Sequence, residues 1–202
     1  MMQLLGAGAS PFVRKARVLM AEAGIDDVTY VEVSASPMGG EDRVNLANPL
    51  GKIPALIRDD APTIYDSNVI CRFLDDHAQA GLYPQARLWE VLTLEATADG
   101  IMEAAVGIVY EKRFRPEALW WPDWHEAQMA KVDRALGVIE ANWLSHLEGS
   151  LTMGQVAVAC ALGYLDLRHG DRDWRTDHPK LGAWYATFAA RSSMVATAPT
   201  AA

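Results

Sequence analysis

The stretch "NPLGKIPALIRDDAPTIYDSNVI", residues 48–70, decides the fold. Two short apolar runs, IPALI at 53–57 and TIY at 63–65, flank Arg58-Asp59-Asp60 and read as a strand pair about a turn. Ile53-Pro54 opens the first strand, a place where proline is tolerated because it supplies no ladder donor. Spacing alone does not make that peptide bond cis. Asp66-Ser67 ends the second strand and begins a helix, with Val69, Ile70, Phe73 and Leu74 on one face. The plain reading of Asp66-Ser67 is a helix cap.

Upstream, MQLLGA reads as a strand, and Phe12, Ala16, Leu19, Met20 and Ala23 recur at helical spacing up to Gly24. VTYVEV at 28–33 is a second strand, and a short helix near 41–47 follows. The order is therefore βαβ, a short helix, then ββα. Ser10-Pro11 starts the first helix in the preferred way, because the hydroxyl accepts a backbone N–H and proline has none to leave unpaired. A hydroxyl there also lies where backbone N–H groups and the helix dipole favour an anion.

Beyond AQAGLYPQA at 78–86 the chain reads as helical, and all seven tryptophans lie there. Asp123 and Glu126 have capping-box spacing ahead of Met129, Val132, Leu136, Ile139 and Trp143. In LTMGQVAVACALGYL, Thr152 is the expected N-cap, Gln155 its N3 partner, and Leu151 a staple against Val156. Val156, Cys160, Gly163, Tyr164 and Leu167 continue its buried face, and the Ala/Thr-rich tail from Thr197 is expected to fray.

Lys plus Arg number 18 against 26 Asp plus Glu, and each side of residue 80 is four charges negative. That balance argues against nucleic acid and anionic membrane surfaces. No secretory signal or spanning segment is read, so the expected location is cytoplasmic. Cys71 and Cys160 sit inside apolar helical patterns without a CxxC, as buried thiols do in a reducing compartment. GAGASP has proline where a dinucleotide fingerprint needs its third glycine, the five histidines make no metal-ligand spacing, and no GxSxG surrounds Ser10.

SPFVRK after a first strand, NPLGKIPAL, YDSNVI, and a helical second half with LTMGQVAVACALGYL together resemble the bacterial glutathione S-transferases over essentially the whole chain. The resemblance implies an α/β thioredoxin-like N-terminal domain (1–78), a linker (79–85), an all-α C-terminal domain (86–196) and a flexible tail (197–202). It implies a cis Pro54, with the backbone of Ile53 pairing with the cysteinyl unit of glutathione as an added strand. It assigns Asp66 to the γ-glutamyl ammonium, Ser67 to its carboxylate, and Lys52 to the glycyl carboxylate. Ser10 becomes the catalytic hydroxyl beside the glutathione sulfur.

The electrophile pocket is expected between the domains and lined by Phe12, Met102, Ala105, Val106 and Val109, although ordinary helix packing would give the same apolar face. LWWPDW at 119–124 reads as a plug at a helix start in preference to an aromatic rim. Glutathione as co-substrate, a small electrophilic substrate, a homodimer and no metal complete what the resemblance implies, for detoxification or catabolism. Ser10-Pro11-Phe12-Val13 stands where a dithiol redox relative has Cys-Pro-x-Cys, which excludes dithiol exchange there. Two features depart from the family: SASPMGGE at 34–41 has no lysine or histidine near the glycyl end, and Gln155 stands where an acidic residue is commoner. Two other readings stay open: a glutathione-dependent peroxidase, and a transferase-like protein that binds glutathione weakly or not at all and acts through protein contacts.

Overall fold

A computed structural model describes residues 1–199; residues 200–202, the end of the expected tail, lie outside the described residues. The chain divides into two compact units, one formed by Met1–Pro84 with the segment from Ser192 onward, the other by Gln85–Arg191. The segment 192–196, expected with the second domain, thus belongs to the first unit.

The first unit begins β1 (Met2–Gly6), α1 (Pro11–Ala23), β2 (Val28–Glu32), α2 (Asp42–Ala47), β3 (Ala55–Arg58), β4 (Ala61–Ile64) and α3 (Ser67–Ala78). This is the βαβ-α-ββα order expected from the sequence. One sheet has the strand order β2-β1-β3-β4. β1 runs parallel to β2 and antiparallel to β3, with Leu5 opposite Ala55, and β4 returns antiparallel with Ile64 opposite Leu56. Ile53 and Pro54 precede β3 and do not open it, because the pairing begins at Ala55. The Ile53–Pro54 peptide is cis, as is Tyr65–Asp66. Pro62 falls on the edge strand, where its missing donor breaks no ladder.

Gly6 lets α1 lie against the end of β1, since a Cβ there would sit 2.4 Å from Val13 Cγ1. The buried surface of α1 is broader than its apolar periodicity: Val13, Ala16, Val18 and Leu19 are covered, and so are Arg14 and Lys15. Phe12, Met20 and Ala23, expected on the core face, are only half-buried. The helix packs on α3 as well as toward the sheet, so a single stripe understates what is covered. On α3 the core residues are Ile70, Cys71 and Leu74, while Val69 is 52% exposed and not a core residue.

The second unit comprises α4 (Leu88–Phe114), α5 (Pro122–Asn142), α6 (Leu144–Leu147), α7 (Met153–Arg168), α8 (Trp174–Asp177) and α9 (Pro179–Ala189). From Met153 to Leu165 every residue of α7 is buried, so it is a central helix covered on every side, apolar except for Gln155 and the Tyr164 hydroxyl. Leu167, expected on its buried face, is only half-buried. Gly154 admits Leu94 of α4, whose Cδ2 would stand 3.0 Å from an added Cβ. α5 starts at Pro122 with Trp121 as N-cap, two residues before the expected cap Asp123, because proline's fixed φ and missing N–H suit the first helical position. Its buried face is Met129, Val132, Leu136 and Ile139. Trp143, just past the helix end, is half-buried.

Thr152 and Gln155 form the expected capping box. Gln155 Oε1 accepts the Thr152 backbone N–H at 2.5 Å and its hydroxyl at 3.1 Å. Its Nε2 donates to Leu147 O at 2.9 Å and to Gly149 O at 3.1 Å. A carboxylate could keep the first pair of bonds but not the second, so glutamine here ties the end of α6 to the start of α7.

The last helix, α10 (Ser192–Ala196), packs on α1 in the first unit. Arg14 Nη2 donates to Met194 O at 3.0 Å, and the Ser193 hydroxyl donates to the Glu22 carboxylate. Thr197, first residue of the expected tail, is buried and donates to Ser193 O at 2.8 Å. Among the described residues no helix is long and apolar enough to cross a membrane. Cys71 and Cys160 are buried and not disulfide-bonded.

Gln155→Ala is expected to lower the unfolding free energy by about 1–2 kcal/mol in urea titrations, and Gln155→Glu not to restore it, since both remove the amide donor to Leu147 O, which keeps Trp184 Nε1, and to Gly149 O. His169 supplies a pH signature. Its Nε2 lies 3.0 Å from Ala105 O, and burial holds its pKa below the usual 6.5. The folded protein therefore binds fewer protons than the unfolded chain there, and this contribution to stability is present above pH 6.5 and lost as pH falls below it. Unfolding free energy measured downward from neutral pH should fall less steeply in His169→Gln.

Candidate functional site

The sheet register collects three connections at one end. β1 ends at Gly6, and Leu5 opposite Ala55 puts the residues just before β3 beside the residues just after β1. Ile64 opposite Leu56 brings the exit of β4 to the same end. The segments carrying Ser10, Ile53-Pro54 and Asp66-Ser67 therefore share one edge of the sheet, and two of them are helix N-termini. Backbone N–H groups without intrahelical partners and the positive end of each helix dipole favour anions there.

Ser10 is the N-cap of α1, and its Oγ accepts the Val13 N–H at 3.3 Å. The hydroxyl keeps its own proton for donation, because the cap uses only a lone pair. The Ser10 N–H donates to Ala7 O at 2.9 Å, closing the turn after β1. Pro54 is buried, and Ile53 packs against the cluster of Leu5, Val33, Val44, Ala47 and Ala55. Lys52 is exposed. Asp66 is exposed and caps α3, its Oδ1 accepting the Asn68 N–H at 2.9 Å, while Ser67 is buried at the first helical position.

Of the residues assigned to an electrophile pocket, Phe12 is half-buried on α1. On α4, Met102 and Ala105 are fully buried, and Val106 and Val109 are half-buried. Among the described residues no group of three His, Cys, Asp or Glu side chains could hold a metal ion.

Two side chains that hold the site were missed in the sequence. Asn48 is 2% exposed; its Nδ2 donates to Lys52 O at 2.9 Å and its Oδ1 accepts the Leu50 N–H at 3.0 Å. Its own carbonyl accepts the Gly51 N–H at 2.8 Å, so one residue folds the turn that delivers Ile53. An Asn directly before proline is the signal that could have found it. Glu32, at the end of β2, accepts the Gly8 N–H at 2.9 Å and so pins the turn leading to Ser10. The Tyr30 hydroxyl donates to the same carboxylate. Burial, and then that bond, raise the phenol's pKa far above its usual value, so it stays a donor.

A four-stranded mixed sheet with helices, followed by an all-α unit, is the thioredoxin-like plus helical architecture of glutathione transferases. The family models for the N-terminal and C-terminal domains of glutathione S-transferase match residues 9–77 and 122–187. The chain is 32% identical to the uncharacterized GST-like protein YibF of Escherichia coli K12 over 203 residues, covering 98% of each. A solved glutathione transferase family member from Pseudomonas fluorescens Pf-5, with bound glutathione, is 43% identical over 99% of this chain and 100% of that one, with a TM-score of 0.96. A structure of a family member from the same strain with bound S-(propanoic acid)-glutathione is 42% identical over the same shares, with a TM-score of 0.90. The chain belongs to the glutathione transferase family.

Asn48→Ala is expected to cost about 2 kcal/mol of stability and to speed amide exchange at Leu50 and Gly51. Asn48→Asp keeps the acceptor for Leu50 and should protect that amide while releasing Lys52.

Proposed function

We propose that this protein is a glutathione S-transferase that activates the glutathione thiol for attack on small electrophiles. The observation that carries the reading is the placement of Ser10 at the start of α1, on the sheet edge that also carries Ile53-Pro54 and Asp66-Ser67. Glutathione bound by the Pseudomonas relatives supports the choice of ligand.

In this reading the backbone of Ile53 pairs with the cysteinyl unit, Asp66 takes the γ-glutamyl ammonium, Ser67 its carboxylate, and Lys52 the glycyl carboxylate. Each assignment matches charge or hydrogen-bonding capacity to its group. A thiol of pKa about 8.5 is only about 3% ionised at pH 7. The Ser10 O–H and the N–H groups of the first α1 turn stabilise the thiolate and not the thiol, and each unit of pKa depression corresponds to about 1.4 kcal/mol of that preference. The thiol proton passes to solvent. The sulfur lone pair then forms the new bond to the electrophilic centre, while the leaving group or displaced π-electron pair carries away the charge. Cap and thiolate donor are compatible in one hydroxyl, since Val13 uses a lone pair and the sulfur takes the proton.

A second reading, weak glutathione binding with function through protein contacts, draws on one observation: residues 34–41 contain no lysine, arginine or histidine. Thiolate ultraviolet absorbance of added glutathione, followed against pH, separates the two. The transferase reading expects the bound thiol to titrate about one to two units below free glutathione, and Ser10→Ala to remove most of that shift with about a tenfold loss of turnover at neutral pH. A titration identical to that of free glutathione would overturn it.

A further inference from the structure

Lys15 heads the large side chains that are completely buried, an unusual place for a lysine. It lies on α1, five residues after Ser10, and its Nζ donates to Asn68 Oδ1 at 2.7 Å. Asn68 is the second residue of α3, and its backbone N–H is the one capped by Asp66. Two hydrogen bonds thus run from the helix that Ser10 caps, through Asn68, to the carboxylate that begins the other helix. An amino group is costly to bury unless it is hydrogen-bonded, and once bonded it fixes its partner in a way that an apolar side chain of equal length does not.

We propose that Lys15 is a positioning residue for glutathione: through Asn68 it locks the start of α3, where the γ-glutamyl group is held, in register with the start of α1, where the thiol is held. The inference rests on the transferase reading above. Lys15 touches no substrate; its effect passes through Asn68 to Asp66 and Ser67. The γ-glutamyl group and the cysteinyl thiol then meet a preset spacing, and binding need not order one helix start against the other.

Calorimetric titration of native protein, Lys15→Met, Asn68→Leu, the double variant and Asn68→Asp with glutathione and with S-methylglutathione tests this. Each single variant is expected to weaken glutathione binding about tenfold, the double variant no more than either single one, and Asn68→Asp, which keeps the acceptor, to bind within about threefold of native. S-methylglutathione, which lacks the thiol, should lose the same factor, because the disturbed contact is at the γ-glutamyl end. Unchanged affinities beside a lowered melting temperature would reduce Lys15 to a structural residue and overturn the proposal, as would additive losses or an Asn68→Asp variant as weak as Asn68→Leu. If Lys15→Met does not fold, the half-buried Asn68 pair decides the matter alone. Native protein that binds neither ligand would overturn the transferase reading itself, and this inference with it, a result distinct from normal binding in the variants.

Discussion

The pairing of β1 with two neighbours, parallel to β2 and antiparallel to β3, is the constraint on which the rest of the first unit depends. The parallel partner requires a helix to carry the chain back, and that helix is α1. The antiparallel partner turns the approach to β3 toward the exit of β1, and β4 repeats the reversal so that α3 starts from the same edge. Helix starts and an irregular segment then share an edge although 57 positions separate Ser10 from Ser67 in the chain. A hydroxyl, a carboxylate and the backbone that leads into β3 come to one place because of strand order.

Buried polar side chains do the local fixing. Gln155 joins two helix ends, Asn48 shapes the turn before Pro54, and Lys15 reaches from α1 to α3. Each is nearly or wholly inaccessible, and each bond satisfies a group that would otherwise be costly to bury. Apolar packing supplies most of the cohesion of such a core, but it is non-directional. These few hydrogen bonds set angles that packing alone leaves loose.

Elements whose signals are local were legible in the sequence. Ser10-Pro11 announced α1, Asp66 the start of α3, and Thr152 with Gln155 the start of α7, because caps depend on residues only a few positions apart. Signals that depend on what lies across the fold were not. Lys15 and Arg14 look like solvated charges until α3 and α10 cover them, and Val69 looks like core until its face proves open. The same limit applies to the candidate site. Residues on the sheet edge carry recognisable motifs, whereas Glu32 reveals its service to it only once strand order brings Gly8 near, and Asn48, whose partners lie two to four positions on, carries only the common turn mark of an Asn before proline.

The contribution of α10 to the first unit has a temporal side. A ribosome adding residues in order completes β1 to α3 long before Ser192 emerges, and at ordinary elongation rates the interval is roughly 5–20 s. Through that time Arg14 and Glu22 lack the groups on Met194 and Ser193 that they engage in the finished fold. The second unit, continuous from Gln85 to Arg191, can acquire its core in the meantime. Of the two units, the one begun first is thus completed second, and α1 meets Met194 and Ser193 only after the whole of Gln85–Arg191 has been synthesised.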